Sequence, residues 1–342
     1  MNTSLDNSMK LALRGECGCV SGVEISWSPL PIERLLIGQR ADDADALIPA
    51  ALALCHEAHC AAAQQALDAA ADVSSDHASR DERVHLEAGR ETLRRWLLDF
   101  PAVFGEPWPE GTLPRWRELD TLPALMGFCA GKIFGDVSAV QWLRLDAQGR
   151  REWAARGATP PARWLRALLQ DADRPVNVAP ANVLDYARQQ AEQLLLASSS
   201  RGKMGDAEVS PPHADLWAEP AALPDLASGL LIARLRHLAR ICVHGEDASM
   251  PASGSDRRGD IGIGWAHTAR GLLLHLARVE QGKVTAYRII PPTYWNFGAA
   301  TLLTPALADR LWHDAQRRFE RLVLLLDPCV PFEIPARAVF DA

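Results

Sequence analysis

The chain has 342 residues, 48% hydrophobic and 23% charged, which is ordinary for a globular protein and long enough for about two domains. Its formal net charge of -7 excludes a basic surface of the kind that binds nucleic acid or an anionic membrane. No apolar run reaches the roughly 18 residues of a membrane helix, and the first residues lack the pattern of a signal peptide, so we expect a cytoplasmic protein.

The predicted elements of the first two thirds are mostly helices. Alternation with β-branched residues indicates one strand at residues 19–27. An alanine- and leucine-rich stretch predicts a long helix that begins near Ile48 and ends near Ala71. An apolar stripe at helical spacing predicts a second helix at residues 81–99, which Pro101 ends. Further helices are predicted at residues 122–132, 162–170, 183–197 and 226–243.

The last third mixes loops, strands and a helix. Residues 198–224 are rich in Ser, Pro, Gly and Ala and predict a loop or flexible linker, and residues 250–260 predict a second loop. Two β-like runs at residues 272–280 and 283–290 predict a hairpin, and residues 305–326 predict a final helix. The sequence therefore predicts an α+β fold, mostly helical, in which a helical core carries small antiparallel β elements.

The cysteines are too sparse for a disulfide scaffold, and no CxxC pair of the zinc-ribbon or ferredoxin kind occurs. The seven are Cys17, Cys19, Cys55, Cys60, Cys129, Cys242 and Cys329.

The densest cluster of possible metal ligands is Cys55-His56-x-x-His59-Cys60 on the long predicted helix. Cys55 and His59 are four residues apart and share one face, whereas Cys60 lies roughly 140° around the helix from Cys55. Two interpretations stay open from the pattern alone. The cysteines are small core residues, or Cys55, His59 and Cys60 build a zinc or other metal site, as in a metalloenzyme.

A glycine pair, Gly262-x-Gly264, has neither the third glycine nor the following helix of a dinucleotide-binding fingerprint. We attribute it to turn flexibility.

Several short motifs stand in the last third of the chain. They are Ala269-Arg270-Gly271, His275, Gly282-Lys283-Val284, Tyr287, Pro292-Thr293-Tyr294-Trp295-Asn296 and Asp327-Pro328-Cys329. Their order and spacing resemble those found near the end of nickel-iron hydrogenase large subunits. Upstream, Cys55-x-x-Ala58-His59 resembles that family's N-terminal CxxCxxxH motif.

The departures from that family are as informative as the matches. Leu52 and Phe332 stand where the large subunit has two of its four metal-binding cysteines, and His267 and Ala269 replace a glutamate and a proline. The family's His-Asp-His run aligns with Arg94-Arg95-Trp96. This pattern of retention resembles the maturation proteins of the HupK/HoxV type, which are degenerate homologues of the large subunit.

The resemblance implies a single domain over residues 1–342 with a trimmed large-subunit fold. It also implies an assembly scaffold without turnover that transiently holds iron carrying two cyanides and one carbon monoxide, Fe(CN)2(CO). Cys55 and Cys329 are the implied iron ligands, and no nickel is expected. The implied partners are the hydrogenase large subunit and maturation proteins of the HypC/HypD type.

The same resemblance assigns roles to four other residues. Arg270 and Thr293 would donate hydrogen bonds to the cyanide and carbon monoxide ligands, Asp327 would pair with Arg270, and His59 would donate to the Cys55 sulfur. A paralogue that binds maturation partners without any metal is the remaining alternative.

Overall fold

Helices surround two small sheets in the computed structural model of the protein, which describes part of the chain. The predicted linker at residues 198–224 lies outside the described residues, as does Cys17. The described ranges are 8–16, 18–27, 29–43, 47–48, 52, 54–73, 78–173, 182–196, 225–243, 251–298, 303–335 and 339–340.

The elements, in chain order, confirm a mostly helical α+β fold with small antiparallel sheets. The strands are β1 (Met9–Glu16), β2 (Cys19–Trp27), β3 (Ser253–Arg258), β4 (Ile261–Thr268), β5 (Gly271–Glu280), β6 (Lys283–Ile290), β7 (Phe332–Glu333) and β8 (Val339–Phe340). The helices are α1 (His56–Ala71), α2 (Ala78–Leu98), α3 (Phe100–Phe104), α4 (Thr112–Arg115), α5 (Leu122–Cys129), α6 (Ala139–Arg144), α7 (Ala147–Arg156), α8 (Pro160–Gln170), α9 (Val183–Gln189), α10 (Ala191–Leu196), α11 (Leu226–Cys242), α12 (Pro292–Phe297), α13 (Leu303–Leu307) and α14 (Trp312–Leu326).

The first sheet joins the two ends of the chain. β1 pairs antiparallel with β2 and parallel with β7 and β8, so the C-terminal residues complete a sheet that the N-terminal hairpin begins. Phe332 pairs with Met9 in this sheet. The residues that follow Cys329 are thereby held beside the N-terminal strand.

The second sheet is an antiparallel meander in the order β3-β4-β5-β6, and its central strands, β4 and β5, are buried on both faces. Successive side chains of a strand point to opposite faces. On β5, Leu272, Leu274 and Leu276 pack against α9 and α10, whereas Leu273 and Ala277 face α1.

Gly262 and Gly264 allow α1 to approach β4 closely. A Cβ atom at Gly264 would overlap the carbonyl oxygen of Ala62, and one at Gly262 would overlap that of Ala66. The attribution of this pair to turn flexibility is therefore wrong. Both glycines lie inside a strand, where the absence of a side chain lets a helix backbone contact the sheet.

Four predicted boundaries differ from the structure. The alanine-rich helix begins at His56 rather than near Ile48, because Cys55 adopts a left-handed conformation with φ 55°. The helices predicted at 183–197 and 305–326 are each split in two, and Asp309 at the second break has φ 62°. Residues 253–258 of the second predicted loop form β3, because β4 supplies a pairing partner that local composition does not reveal.

The other predicted elements are confirmed: β2, the β5–β6 hairpin, and helices α2, α5, α8 and α11. Within the described ranges, no helix combines the length and the apolar character needed to cross a membrane.

Candidate metal centre

A cavity of about 320 Å³ lies where the end of β2, the start of α1, the second sheet and the C-terminal segment meet. Both cysteines predicted to bind iron line it, together with His59 and Arg270. Cys55 and Cys329 thus reach one cavity from distant parts of the chain. The full lining is Trp27, Pro29, Leu30, Ile32, Glu33, Leu52, Leu54, Cys55, His59, Thr268, Arg270, Leu273, Ile289, Pro291, Pro292, Cys329, Val330 and Pro331.

Cys55 is fixed at the N-terminus of α1. Its carbonyl oxygen accepts the first helical N–H, from His59, at 2.9 Å. The N–H groups of Glu57 and Ala58 have no acceptor within the first turn of the helix. The Glu87 carboxylate of α2 accepts both of them, each at 3.0 Å. Burial raises the pKa of the Cys55 thiol to about 12, although the nearby Arg270 guanidinium acts in the opposite direction.

Cys329 is held by Thr293 of α12. The Thr293 hydroxyl donates to the Cys329 sulfur at 3.0 Å and accepts the Cys329 backbone N–H at 3.1 Å. Burial raises the pKa of this thiol, and the Thr293 hydroxyl and Arg270 only partly offset the effect. Thr293 is fully buried and acts on the site through Cys329.

Arg270 lies in the turn between β4 and β5 and is fully buried. Its Nη1 donates to the Cys55 sulfur at 3.2 Å, its Nε lies 3.2 Å from a carboxylate oxygen of Asp327, and its Nη2 donates to Glu91 at 3.4 Å. Burial lowers the pKa of Arg270, but Asp327, Cys55 and Glu91 together raise it above its ordinary value. The guanidinium is therefore a permanent positive charge at the cavity wall.

Asp327 caps the end of α14 with a left-handed φ of 52° and has no exposed surface. The Nε of Arg95 lies 2.7 Å from one of its oxygens, and Nη1 of Arg234 lies 3.7 Å from the other, the one nearest Arg270. Burial raises the pKa of Asp327, but the three arginines lower it below its ordinary value. The predicted Asp327–Arg270 pair is present, within a larger buried ion cluster.

His59 meets a second histidine instead of the Cys55 sulfur. Its Nδ1 is 3.0 Å from Nε2 of His275 on β5, while the hydrogen bond that reaches the Cys55 sulfur comes from Arg270. Burial lowers the pKa of His59 to about 3, so its ring is neutral at physiological pH. The ring still lines the cavity.

The alternative zinc site is not assembled in the structure. Cys60 points away from the cavity, and its sulfur lies 4.0 Å from Nε2 of His56, one helical turn earlier. In the part of the chain that is described, no group of three or more His, Cys, Asp or Glu side chains is arranged to hold a metal ion.

Sequence reasoning missed several residues that support the site. On α2, Glu87, Glu91 and Arg95 recur every four residues and face it, and Arg234 of α11 joins them. The spacing of four was the available signal. It is also the spacing of solvent-exposed Glu–Arg pairs on any helix surface, so it could not distinguish the two cases.

Comparison with known proteins gives a consistent assignment, although no protein-family model matches the chain. The hydrogenase expression/formation protein HupK of Azotobacter vinelandii is 30% identical over 327 residues, which cover 90% of this chain and 91% of HupK. The hydrogenase expression/formation protein HoxV of Cupriavidus necator is 28% identical and covers 90% of each chain.

Among solved structures, a reduced, active form of the NiFeSe hydrogenase from Desulfomicrobium baculatum matches with a TM-score of 0.53 at 15% identity, covering 96% of this chain and 97% of that one. At this identity the match shows the fold alone. It confirms the predicted resemblance to a trimmed hydrogenase large subunit.

Proposed function

Because the chain belongs to the HupK/HoxV family of hydrogenase expression/formation proteins, we propose that it is an assembly scaffold of hydrogenase maturation that transiently holds Fe(CN)2(CO). Membership in this family confirms the resemblance identified from the sequence. The observation that carries the proposal is that Cys55 and Cys329 line one cavity, each with a hydrogen-bond donor already on its sulfur.

Two thiolates suit a cargo that must be released. Thiolates are soft, electron-rich ligands for low-spin iron, and hydrogen bonds to their sulfurs tune how strongly they donate. Leu52 and Phe332 stand where the large subunit has its two other metal-binding cysteines. Leu52 lines the cavity with an apolar side chain, and Phe332 pairs with Met9 in the first sheet. We therefore expect iron but no nickel, and weaker retention than four thiolates would give.

The cavity also offers the donors and the charge that such a cargo needs. Cyanide nitrogen and carbonyl oxygen are acceptors that lose water when they are buried, so they require donors from the protein. The Arg270 guanidinium lies at the wall and its positive charge compensates the anionic cyanides and thiolates. A chain of this kind binds and releases the iron unit without turning over a substrate.

Family membership supports a proposal about the partners. The relatives of this chain are named hydrogenase expression/formation proteins, so we infer that it acts with other proteins of that pathway. We expect a donor of the HypC/HypD type and a hydrogenase large subunit as the recipient.

The test is infrared spectroscopy and metal analysis of the full chain, purified without oxygen from cells with an active hydrogenase maturation pathway. We expect cyanide and carbon monoxide bands with bound iron in the wild type. Both signals should be lost in Cys55→Ser and Cys329→Ser while the fold is retained, because one small buried thiol contributes little to a core of this size.

Cys60→Ser is the matched control, because this buried cysteine lies on the same helix but outside the cavity. It should keep the bands. Zinc in place of iron, or a wild-type protein without either band, would overturn the proposal, and the second result would favour a metal-free partner-binding paralogue.

A further inference from the structure

Three buried side chains form a hydrogen-bonded chain that ends at the cavity. The Tyr287 hydroxyl on β6 is 2.7 Å from Nδ1 of His275 on β5, and Nε2 of His275 is 3.0 Å from Nδ1 of His59 on α1. Tyr287 is 6% exposed, His275 is fully buried, and His59 lines the cavity. We call these residues the Tyr–His–His chain.

The packing of α1 on the second sheet holds the Tyr–His–His chain in place. The rings of His59 and His275 meet edge to face at 5.2 Å, and those of His275 and Tyr287 do so at 5.7 Å. His275 sits on the α1-facing side of β5, between Leu273 and Ala277. The close approach that Gly264 allows brings His59 within hydrogen-bond distance of it.

The contact between the two imidazoles couples their hydrogen bonds, because one of the two facing nitrogens must donate and the other must accept. His275 is fully buried and His59 is 8% exposed, and burial favours the neutral form of an imidazole. A neutral imidazole has one N–H donor and one acceptor nitrogen. The direction of one hydrogen bond in the chain therefore determines the direction of the next, and finally which nitrogen of His59 carries hydrogen.

The tyrosine sets that direction. A phenol is a good donor and a weak acceptor, whereas the free nitrogen of a neutral imidazole is a strong acceptor, so O–H to N is the better-matched bond. The 2.7 Å separation is typical of an O–H donor and short for an N–H donor, for which about 2.9 Å is usual. His275 is then the Nε2–H tautomer and donates to Nδ1 of His59.

We propose that Tyr287 and His275 are positioning residues that fix His59 as the Nε2–H tautomer, so that His59 presents a hydrogen-bond donor to the cavity. The identity of the acceptor, a thiolate sulfur or a cyanide nitrogen of the cargo, rests on the proposed function. The tautomer of His59 itself is a property of the protein in the absence of cargo.

The first experiment measures the tautomer in the purified, metal-free full chain. Nitrogen-15 NMR of ring-labelled histidine distinguishes Nε2–H from Nδ1–H, and His59→Gln and His275→Gln assign the two signals among the ten histidines. We expect Nε2–H at both residues in the wild type and a mixture of tautomers in Tyr287→Phe. An Nδ1–H signal from His59 in the wild type, or no change in Tyr287→Phe, would overturn the proposal.

Tyr186→Phe is the matched control. It removes a buried hydroxyl that has no hydrogen-bond partner among the described residues and lies on α9, on the other side of the second sheet. The histidine signals should be unchanged.

The second experiment uses the iron-loaded protein and separates this inference from the proposed function. Loss of a donor leaves more electron density on iron, so Tyr287→Phe should retain the cyanide and carbon monoxide bands but shift the carbon monoxide band to lower wavenumber. Unshifted bands in Tyr287→Phe would contradict the donor role of His59. A wild type without bands would overturn the scaffold proposal, and the NMR result would still decide the tautomer.

Discussion

Two unlike groups of side chains lie behind the cavity wall, one behind Arg270 and one behind His59. The charged side consists of Arg270 and, behind it, Asp327, Glu91, Arg95 and Arg234, whereas the neutral side is the Tyr–His–His chain. On the charged side, each charged group is shielded from water by its neighbours, and the opposite charges among them offset the cost of its burial. On the neutral side the groups carry no charge, and only the direction of their hydrogen bonds matters.

One small cavity thereby combines strong electrostatic attraction with a directed hydrogen-bond donor. Buried charges attract strongly, but removing one leaves its partners uncompensated, which is costly. A neutral chain supplies a directed donor, and losing one hydroxyl from it costs only about the value of a hydrogen bond, ~1 kcal/mol. Variants on the charged side should therefore lose more stability than variants on the neutral side.

The largest effect is expected from Asp327→Ala, which leaves the buried Arg234 and Arg270 and the partly exposed Arg95 without their shared carboxylate. Removing one partner of a buried ion pair typically costs about 3–5 kcal/mol, so the urea midpoint of unfolding should fall steeply. Asp171→Ala breaks the half-exposed pair of Asp171 with Arg321 and should change the free energy of unfolding by less than about 1 kcal/mol. Equal losses in the two variants would show that the charged side is not a compensated cluster.

The same variant should change the pH dependence of stability. The folded-state pKa of Asp327 lies below its ordinary value, so its contribution is present above the unfolded-state pKa of about 3.9 and is lost as pH falls through the folded value. The stability difference between wild type and Asp327→Ala should therefore be constant near neutral pH and shrink in acid.

An intermediate effect is expected from Gly264→Ala, which pushes α1 away from β4 and so acts on the neutral side. The new methyl group overlaps the Ala62 carbonyl oxygen, a backbone atom that cannot rotate away. Overpacking of this kind costs about 1–3 kcal/mol and should also separate His59 from His275, which their NMR signals would report.

Gly22→Ala is the control for that change, because its added methyl group has open space around it and the backbone there is not left-handed. It should be close to wild type in both measurements. Intact histidine coupling in Gly264→Ala would mean that α1 can shift without disturbing the site.

A smaller effect on stability is expected from Thr293→Val, which removes the hydroxyl that contacts the sulfur and the N–H of Cys329. The lost hydrogen bonds should cost about 1–2 kcal/mol. Because that hydroxyl lowers the pKa of Cys329, the thiol should also ionise at higher pH and be alkylated more slowly. Mass spectrometry after iodoacetamide treatment measures the rate at Cys329 against that at Cys55.

Thr285→Val tests whether the effect is specific, because the exposed Thr285 hydroxyl bonds to a carbonyl of its own hairpin, far from Cys329 in the fold. Its alkylation rates should match the wild type. If Cys329 reacts at the same rate in Thr293→Val, the Thr293 hydroxyl does not control that thiol.

The fold class, most helices and the residues that carry the family resemblance were predictable from the sequence, because they depend on local periodicity and on motifs read in order. Packing between distant parts of the chain accounts for the left-handed conformation of Cys55 at the start of its helix, and for the inward direction of Arg95 and Arg234 toward Asp327. It also accounts for the contact of His59 with His275. A spacing of four residues marks one face of a helix but does not say what covers that face, since only packing against distant parts of the chain turns a surface-like row of charges into a buried ion cluster.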